Sequence, residues 1–175
     1  MLASGRIDSH RYVWIDEKVQ QEQRVSELFC HLRDEALWRG LWSTLTGHTG
    51  RLLALASVEA CCTVVDSRYD GTRTVPISHI RGSSSSRCCD FDAGFRPLHS
   101  CDQARWLRLA AARLRGATLP PVELIQVEGV YFVVDGHHRI SVARALGERE
   151  IHATVTTWQV AGPLPWEKAQ SRRIQ

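Results

Sequence analysis

The segment from Tyr131 to Gly147 constrains the fold more than any other part of this chain. A β-branched and aromatic run, Tyr131-Phe132-Val133-Val134, stops at Asp135-Gly136, and a helical pattern begins at once. A strand that feeds a glycine turn and then a helix gathers the main-chain N–H groups of the helix's first turn at one spot. The positive end of the helix dipole lies there too. His137, His138 and Arg139 occupy the same turn. A guanidinium fork beside one or two imidazoles makes a seat for an anion, a phosphate above all.

The flanking pattern builds a sheet around this turn. Val122 to Val127 and Val130 to Val134 read as strands joined by a hairpin turn at Glu128-Gly129. Leu119-Pro120-Pro121, just upstream, blocks any helix. Ile151, Ala153 and Val155 alternate with His152, Thr154 and Thr156, which predicts a half-buried strand. Tyr69-Asp70-Gly71 marks a turn, and Thr74 to Ile80 reads as a strand whose Pro76 places it at an edge or a strand start. Gly82 to Ser86 reads as a polar loop. Asp90-Phe91-Asp92 to His99 has no clear period and is either a loop over a site or a packed connection.

Ser100 and Gln103 have capping-box spacing and predict a helix start. Trp106, Leu107, Ala110, Ala111 and Leu114 form its apolar face, and Gly116 its stop. Arg105, Arg108 and Arg115 fall on another face, read as solvated. Further upstream, Val25, Leu28, Phe29, Leu32, Leu37, Leu41 and Leu45 predict a helix from about Glu17 to Leu45. Gly47-His48-Thr49-Gly50 breaks it, and a short helix is expected over Arg51 to Ala60. The expected organisation is a helical N-terminal extension over residues 1–65, a mixed α+β domain over 70–160 and a loosely ordered tail over 161–175.

Composition narrows the function classes. With 175 residues, 43% of them hydrophobic, the chain can bury a real core. No apolar run approaches membrane-spanning length, so no membrane partner is expected. Met1 to Arg11 lacks the apolar core of a secretory signal, so a cytoplasmic location is expected. The net charge of +3 permits contact with nucleic acid without arguing for it. Lys18 and Lys168 are the only lysines, so a basic group near the turn is a permanently charged arginine fork. The cysteines Cys30, Cys61-Cys62, Cys88-Cys89 and Cys101 include two vicinal pairs that do not match zinc-ligand spacing. They are read as incidental or buried thiols, with no metal site expected.

Three segments resemble the ParB N-terminal/sulfiredoxin-like domain family. Val75 to Ile80 resembles its first strand, Leu119 to Leu124 its proline-marked second strand, and Tyr131 to Gly147 its signature turn and helix. The order of a helical N-terminus, a first strand and an Asp-Phe-Asp segment, here Asp90-Phe91-Asp92, is similar to bacterial ParB-like proteins. The resemblance implies an α+β fold with a small mixed sheet and helices. It also implies a nucleotide, CTP or ATP with Mg²⁺, held by its phosphates at Gly136, His137, His138 and Arg139, with Ser141 in a minor role. Members of the family bind CTP and act in DNA segregation, repair over-oxidised cysteine with ATP, or phosphorylate free serine, and some are described as nucleases. Non-specific DNA and a homo-oligomer through the N-terminal helices are the further partners it implies.

Two departures bear on activity. Sulfiredoxins carry a cysteine where His137 stands, so the sulfur chemistry has no nucleophile here. DNA-segregating ParB proteins usually carry a glutamate at that position, which puts hydrolysis, though not nucleotide binding, in question. Too few residues follow Val155 to build a helix-turn-helix domain of the ParB kind, so sequence-specific DNA binding by that route is not expected.

Each residue of the turn has an ordinary structural reading beside its functional one. Gly136 serves close approach of a phosphate or an ordinary tight turn. Arg139 contacts phosphate or forms an ion pair with Asp135 or Glu148. His138 bonds a phosphate or a water, or caps carbonyl groups. His137 acts in acid/base chemistry or merely fills the family position. Asp135 is a helix N-cap, or it orients a histidine or holds Mg²⁺ through water. If the chain is an enzyme, phosphoryl transfer or hydrolysis is expected, with Asp135, His137 and Glu123 as catalytic candidates and Asp90 or Asp92 as the remaining carboxylates. The expected readings are a nucleotide-binding switch, a phosphotransferase or phosphohydrolase on the same turn, and a non-catalytic scaffold.

Overall fold

A computed structural model describes residues 9–46, 50–85, 90–100 and 102–166, of which 9–18 and 43–46 by backbone alone. Chain order gives α1 (Ser9–Thr46), β1 (Leu53–Ala54), α2 (Leu55–Glu59), β2 (Thr63–Pro76) and β3 (Ile80–Ser83). Then follow α3 (Gln103–Leu114), β4 (Val122–Val127), β5 (Val130–Asp135), α4 (His137–Ala145) and β6 (Glu150–Ala161). The six strands form one mixed sheet in the order β1-β3-β5-β4-β6-β2. The β1/β3, β3/β5 and β4/β6 pairs are parallel, and β4/β5 and β2/β6 antiparallel. The α+β class expected from the sequence is the observed one.

The hairpin between β4 and β5 forms where its pattern predicts. Glu128 and Gly129 both have positive φ, 46° and 79°, as a two-residue turn matched to strand twist requires. One face of the sheet packs Val75, Leu124, Val133 and Val155 against Ile140 and Ala143 of α4. The other face packs Val127, Val130 and Phe132 against Leu55, Val58 and Leu164. A third cluster joins Val25 and Phe29 of α1 to Trp106 and Ala110 of α3 and Val142 of α4. The Phe29 ring meets the edge of Trp106 at a centroid distance of 5.4 Å. The α1 helix therefore docks on helices, while Leu37, Trp38, Leu41 and Trp42 on its C-terminal part stay exposed.

Several elements differ from the sequence expectation. The α1 helix begins at Ser9 rather than near Glu17. Arg51 to Ala60 is not one helix, because Leu53 and Ala54 pair with Gly82 and Ser83 as an edge strand before α2 starts. Tyr69-Asp70-Gly71 is not a turn. It lies inside the long β2, where a bulge between Tyr69 and Gly71 absorbs the positive φ of Gly71 while pairing with β6 continues on both sides. The strand expected over Thr74–Ile80 is split by a 3-10 turn, Ile77–His79. The Ser100–Gln103 capping box does not form. Asp102 is the N-cap residue of α3 without a side-chain cap bond, and Ser100 contributes only its carbonyl, 3.1 Å from the Gln103 amide. The last strand runs to Ala161, and Leu164 beyond it is buried, while residues 167–175 of the expected tail lie outside the described residues.

Candidate functional site

The turn between β5 and α4 is fixed by backbone conformation and by one contact. Gly136 has φ of 103°, in the left-handed region that only glycine enters without strain. A Cβ built there would stand 2.5 Å from Val122 Cγ1, so β4 also excludes a side chain. Gly136 offers no side-chain cap, and the first intrahelical bond runs from the Ile140 amide to the Gly136 carbonyl. The N–H groups of residues 137–139 therefore lie ahead of the helical ladder, at the positive end of α4.

The two histidines turn inward. His137 is only 3% exposed and His138 only 4%. His137 Nε2 is hydrogen-bonded to Ser83 Oγ at 2.8 Å, across the parallel pair of β3 and β5. Its ring stacks on Phe91, with centroids 6.0 Å apart, and Phe91 also meets His138 edge-on at 5.2 Å. His138 Nε2 lies 3.5 Å from Asp102 Oδ1 at the start of α3. Phe91 is thus a wall shared by both imidazoles. Asp92 fixes the loop that carries it: its Oδ1 accepts from the amides of Gly94 and Arg96 at 2.8 Å each. Arg96 then bridges Asp92 to Glu35 of α1. The segment with no sequence period is a packed connection that covers the histidines.

Arg139 is held on the other side of α4. Its Nη1 donates to the carbonyls of Pro120 and Pro121 at 2.7 and 2.6 Å, and its Nη2 to the Asp135 carboxylate at 2.5 Å. The Pro-Pro segment that blocks a helix thereby supplies two acceptors that aim the guanidinium. Asp135 is 61% exposed, so its half of the ion pair faces solvent. Arg139 also lines a cavity of about 310 Å³ between α4, the loop before β4 and the start of β6. Leu119, Val142, Ala143 and Ile151 give the cavity apolar walls, and Glu150 and His152 give it polar ones. Arg113 and Glu148, joined by bonds of 2.6 and 3.1 Å, close one side.

Of the sequence-derived residues, Asp135 and Arg139 stand together beside Gly136, while His137 and His138 turn inward on the other side of α4. Glu123 is exposed and directly opposite Asp135 in the β4/β5 register. Ser141 points elsewhere: it is 2% exposed, and its Oγ accepts the Trp106 indole N–H at 2.9 Å between α3 and α4. Asp92 is a loop-building acceptor, and Asp90 uses its carbonyl to accept the Leu98 amide. Sequence reading missed Ser83, Phe91 as the shared wall, Asp102 and the cavity. Each depends on strands or loops far apart in the chain, and only the polar serine run around Ser83 left a local signal. Arg105, Arg108 and Arg115 are exposed, as a solvated face requires. Cys30, Cys61 and Cys62 are free thiols, and Cys88, Cys89 and Cys101 lie outside the described residues. Among the described residues no helix is long and apolar enough to cross a membrane, and no group of three or more His, Cys, Asp or Glu side chains is arranged to hold a metal.

No family model matches the chain. No curated protein matches it either. Among solved structures it is similar to the crystal structure of sulfiredoxin from Arabidopsis thaliana, with 18% identity over 59% of this chain and 97% of that one, at a TM-score of 0.37.

Proposed function

We propose that this chain is a ParB-like nucleotide-binding domain that seats the phosphates of CTP or ATP, with Mg²⁺, on the first turn of α4. The observation that carries the reading is the strand–Gly136–helix turn without a side-chain cap, next to Arg139 on the wall of a cavity of about 310 Å³. The amides ahead of the helical ladder and the helix dipole favour an anion at the turn. The cavity is of a size for a small ligand and combines apolar walls with few polar groups.

Arg139 gives the site its switching element. An arriving phosphate competes with Asp135 for Nη2, while the two proline carbonyls keep Nη1 in place. The exposed Asp135 is the partner most easily exchanged, because ion pairs in solvent contribute little. The buried histidines are walled by Phe91, with His137 tied to β3 through Ser83 and His138 beside Asp102, so their role is to shape the turn behind the phosphate seat. Exchange of carboxylate for phosphate on Arg139 is a two-state event of the kind that alters an interaction elsewhere, DNA included.

Phosphoryl transfer on the same turn is the second reading. It is favoured by the Glu123–Asp135 register, which puts two carboxylates at the turn, where one would orient an acceptor. The Mg²⁺ would arrive with the nucleotide, held by the phosphates and one or two of these carboxylates.

Titration of Mg·CTP and Mg·ATP into ¹⁵N-labelled protein tests the seat. The amide resonances of residues 136–139 are expected to shift most. A shift confined to other parts of the chain, or none, overturns the assignment.

A further inference from the structure

A second cavity lies behind the histidine turn, between α1, the loop carrying Phe95 and Arg96, and α4. It measures about 280 Å³, and its walls include Leu32, Phe95, Arg96, Ser141, Arg144 and Ala145. The polar groups of these walls have one character in common. Ser141 Oγ accepts the Trp106 indole N–H, and the Ser141 hydroxyl proton is donated to no group among the described residues. Arg144 gives its Nη2 to the carbonyls of Ile77 and Ile80, at 2.8 and 3.3 Å, which leaves its Nε and Nη1 unspent among the described residues. Arg96 uses Nε on Glu35 and Nη1 on Asp92, which leaves Nη2.

The side chains of this cavity thus offer more hydrogen-bond donors than acceptors, the one acceptor left being the second lone pair of Ser141 Oγ. Burial first, then the charge of Arg96, holds the Arg144 guanidinium below its usual range, while the Asp92 carboxylate acts the other way. Arg96 is paired with Glu35 and Asp92, whereas Arg144 makes no ion pair within 4.0 Å among the described residues. An occupant that accepts hydrogen bonds and carries negative charge uses the spare donors and meets the unpaired Arg144 guanidinium at once. The other walls are apolar, with the Phe95 ring 5.3 Å from the Arg144 guanidinium carbon. They favour an occupant with a short apolar body.

We propose that this cavity binds a small monocarboxylate, its carboxylate between Arg96, Arg144 and Ser141 and its apolar body against Leu32, Phe95 and Ala145. The site is separate from the nucleotide seat and stands whether or not nucleotide binds. It gives Ser141 a role on the opposite side of α4 from the one implied by the phosphate reading. Its walls include the loop that presses Phe91 on the histidines, so an occupant stiffens the back of the turn.

The Trp106 indole N–H reports on the site, because it donates to Ser141. Benzoate is the probe, titrated into ¹⁵N-labelled protein, with the indole resonance assigned from Trp106→Phe. A saturable shift of that resonance is expected. Ala145→Leu, which fills the cavity from its apolar side and leaves the arginines intact, is expected to remove the shift while the remaining spectrum stays that of a folded protein. Ala145→Ser, which adds a single oxygen, is expected to retain it, and loss of the shift in that folded variant overturns the proposal even if the leucine variant does not fold. Inorganic phosphate, which has no apolar body, is expected to leave the resonance in place. No saturable shift, or a shift that persists in a folded Ala145→Leu protein, overturns the proposal. A phosphate effect equal to that of benzoate overturns the monocarboxylate assignment.

Discussion

Ser83 Oγ and His137 Nε2 stand 2.8 Å apart, joining the end of β3 to the first residue of α4. Both groups are buried, and the bond crosses 54 residues of sequence. It fixes the ring that stacks on Phe91 and so fixes the wall of the histidine turn.

Ser83→Ala removes the partner of a buried imidazole nitrogen. A loss of about 1–3 kcal/mol in unfolding free energy is expected, the usual range for such a group. Urea unfolding checks it, with a lower midpoint and an unchanged slope. A change of under a few tenths of a kcal/mol would show that the bond is dispensable.

Gly136→Ala meets two obstacles together. The left-handed φ costs an L-residue about 1–2 kcal/mol, and the new Cβ runs into Val122. Destabilisation of about 2–4 kcal/mol is expected. The double variant Gly136→Ala/Val122→Ala should recover the steric part but not the conformational part, if these are separate effects. Thermal unfolding of the four proteins measures both.

Acid sensitivity is expected at the far end of the sheet. The Thr157 hydroxyl, then Arg68, holds the Asp70 carboxyl below the usual aspartate range. A carboxyl whose folded value is depressed adds stability above its unfolded value and loses it as pH falls through the folded one. Wild type should therefore lose more stability than Asp70→Asn between about pH 5 and pH 2. Equal acid slopes for the two proteins would mean that the Thr157–Asp70 bond does not favour the charged form.

The parts of the fold that were legible in sequence are those set by neighbours in the chain. Glu128-Gly129, Asp135-Gly136 and Gly147 each mark a position where φ is positive, and the elements between them form as the pattern predicts. The α1 helix was legible in type and at its C-terminal end but not at its start, because the recurring apolar positions that mark it begin only at Val25. The long β2 was hidden by Tyr69-Asp70-Gly71, which has turn composition but is carried through a bulge by its pairing with β6. The site shows the same division. Gly136 to Arg139 announce themselves as one run. Ser83, Phe91 and the proline carbonyls that aim Arg139 join them only when β3, β5 and β4 lie side by side. Ser141 was misleading because one helical turn separates the phosphate end of α4 from the face that meets Trp106.

Calorimetric titration of CTP, ATP and ADP in the presence of Mg²⁺, on wild type and on Arg139→Ala, tests the nucleotide seat most directly. Circular dichroism and thermal unfolding of the variant establish that it keeps its fold without the bonds to Pro120, Pro121 and Asp135. Saturable binding of CTP or ATP to wild type, lost or at least tenfold weaker in the folded variant, is the predicted result; tenfold corresponds to about 1.4 kcal/mol, within reach of one charge-assisted contact. Absence of binding by all three nucleotides to wild type, or equal binding by a folded Arg139→Ala protein, would contradict it.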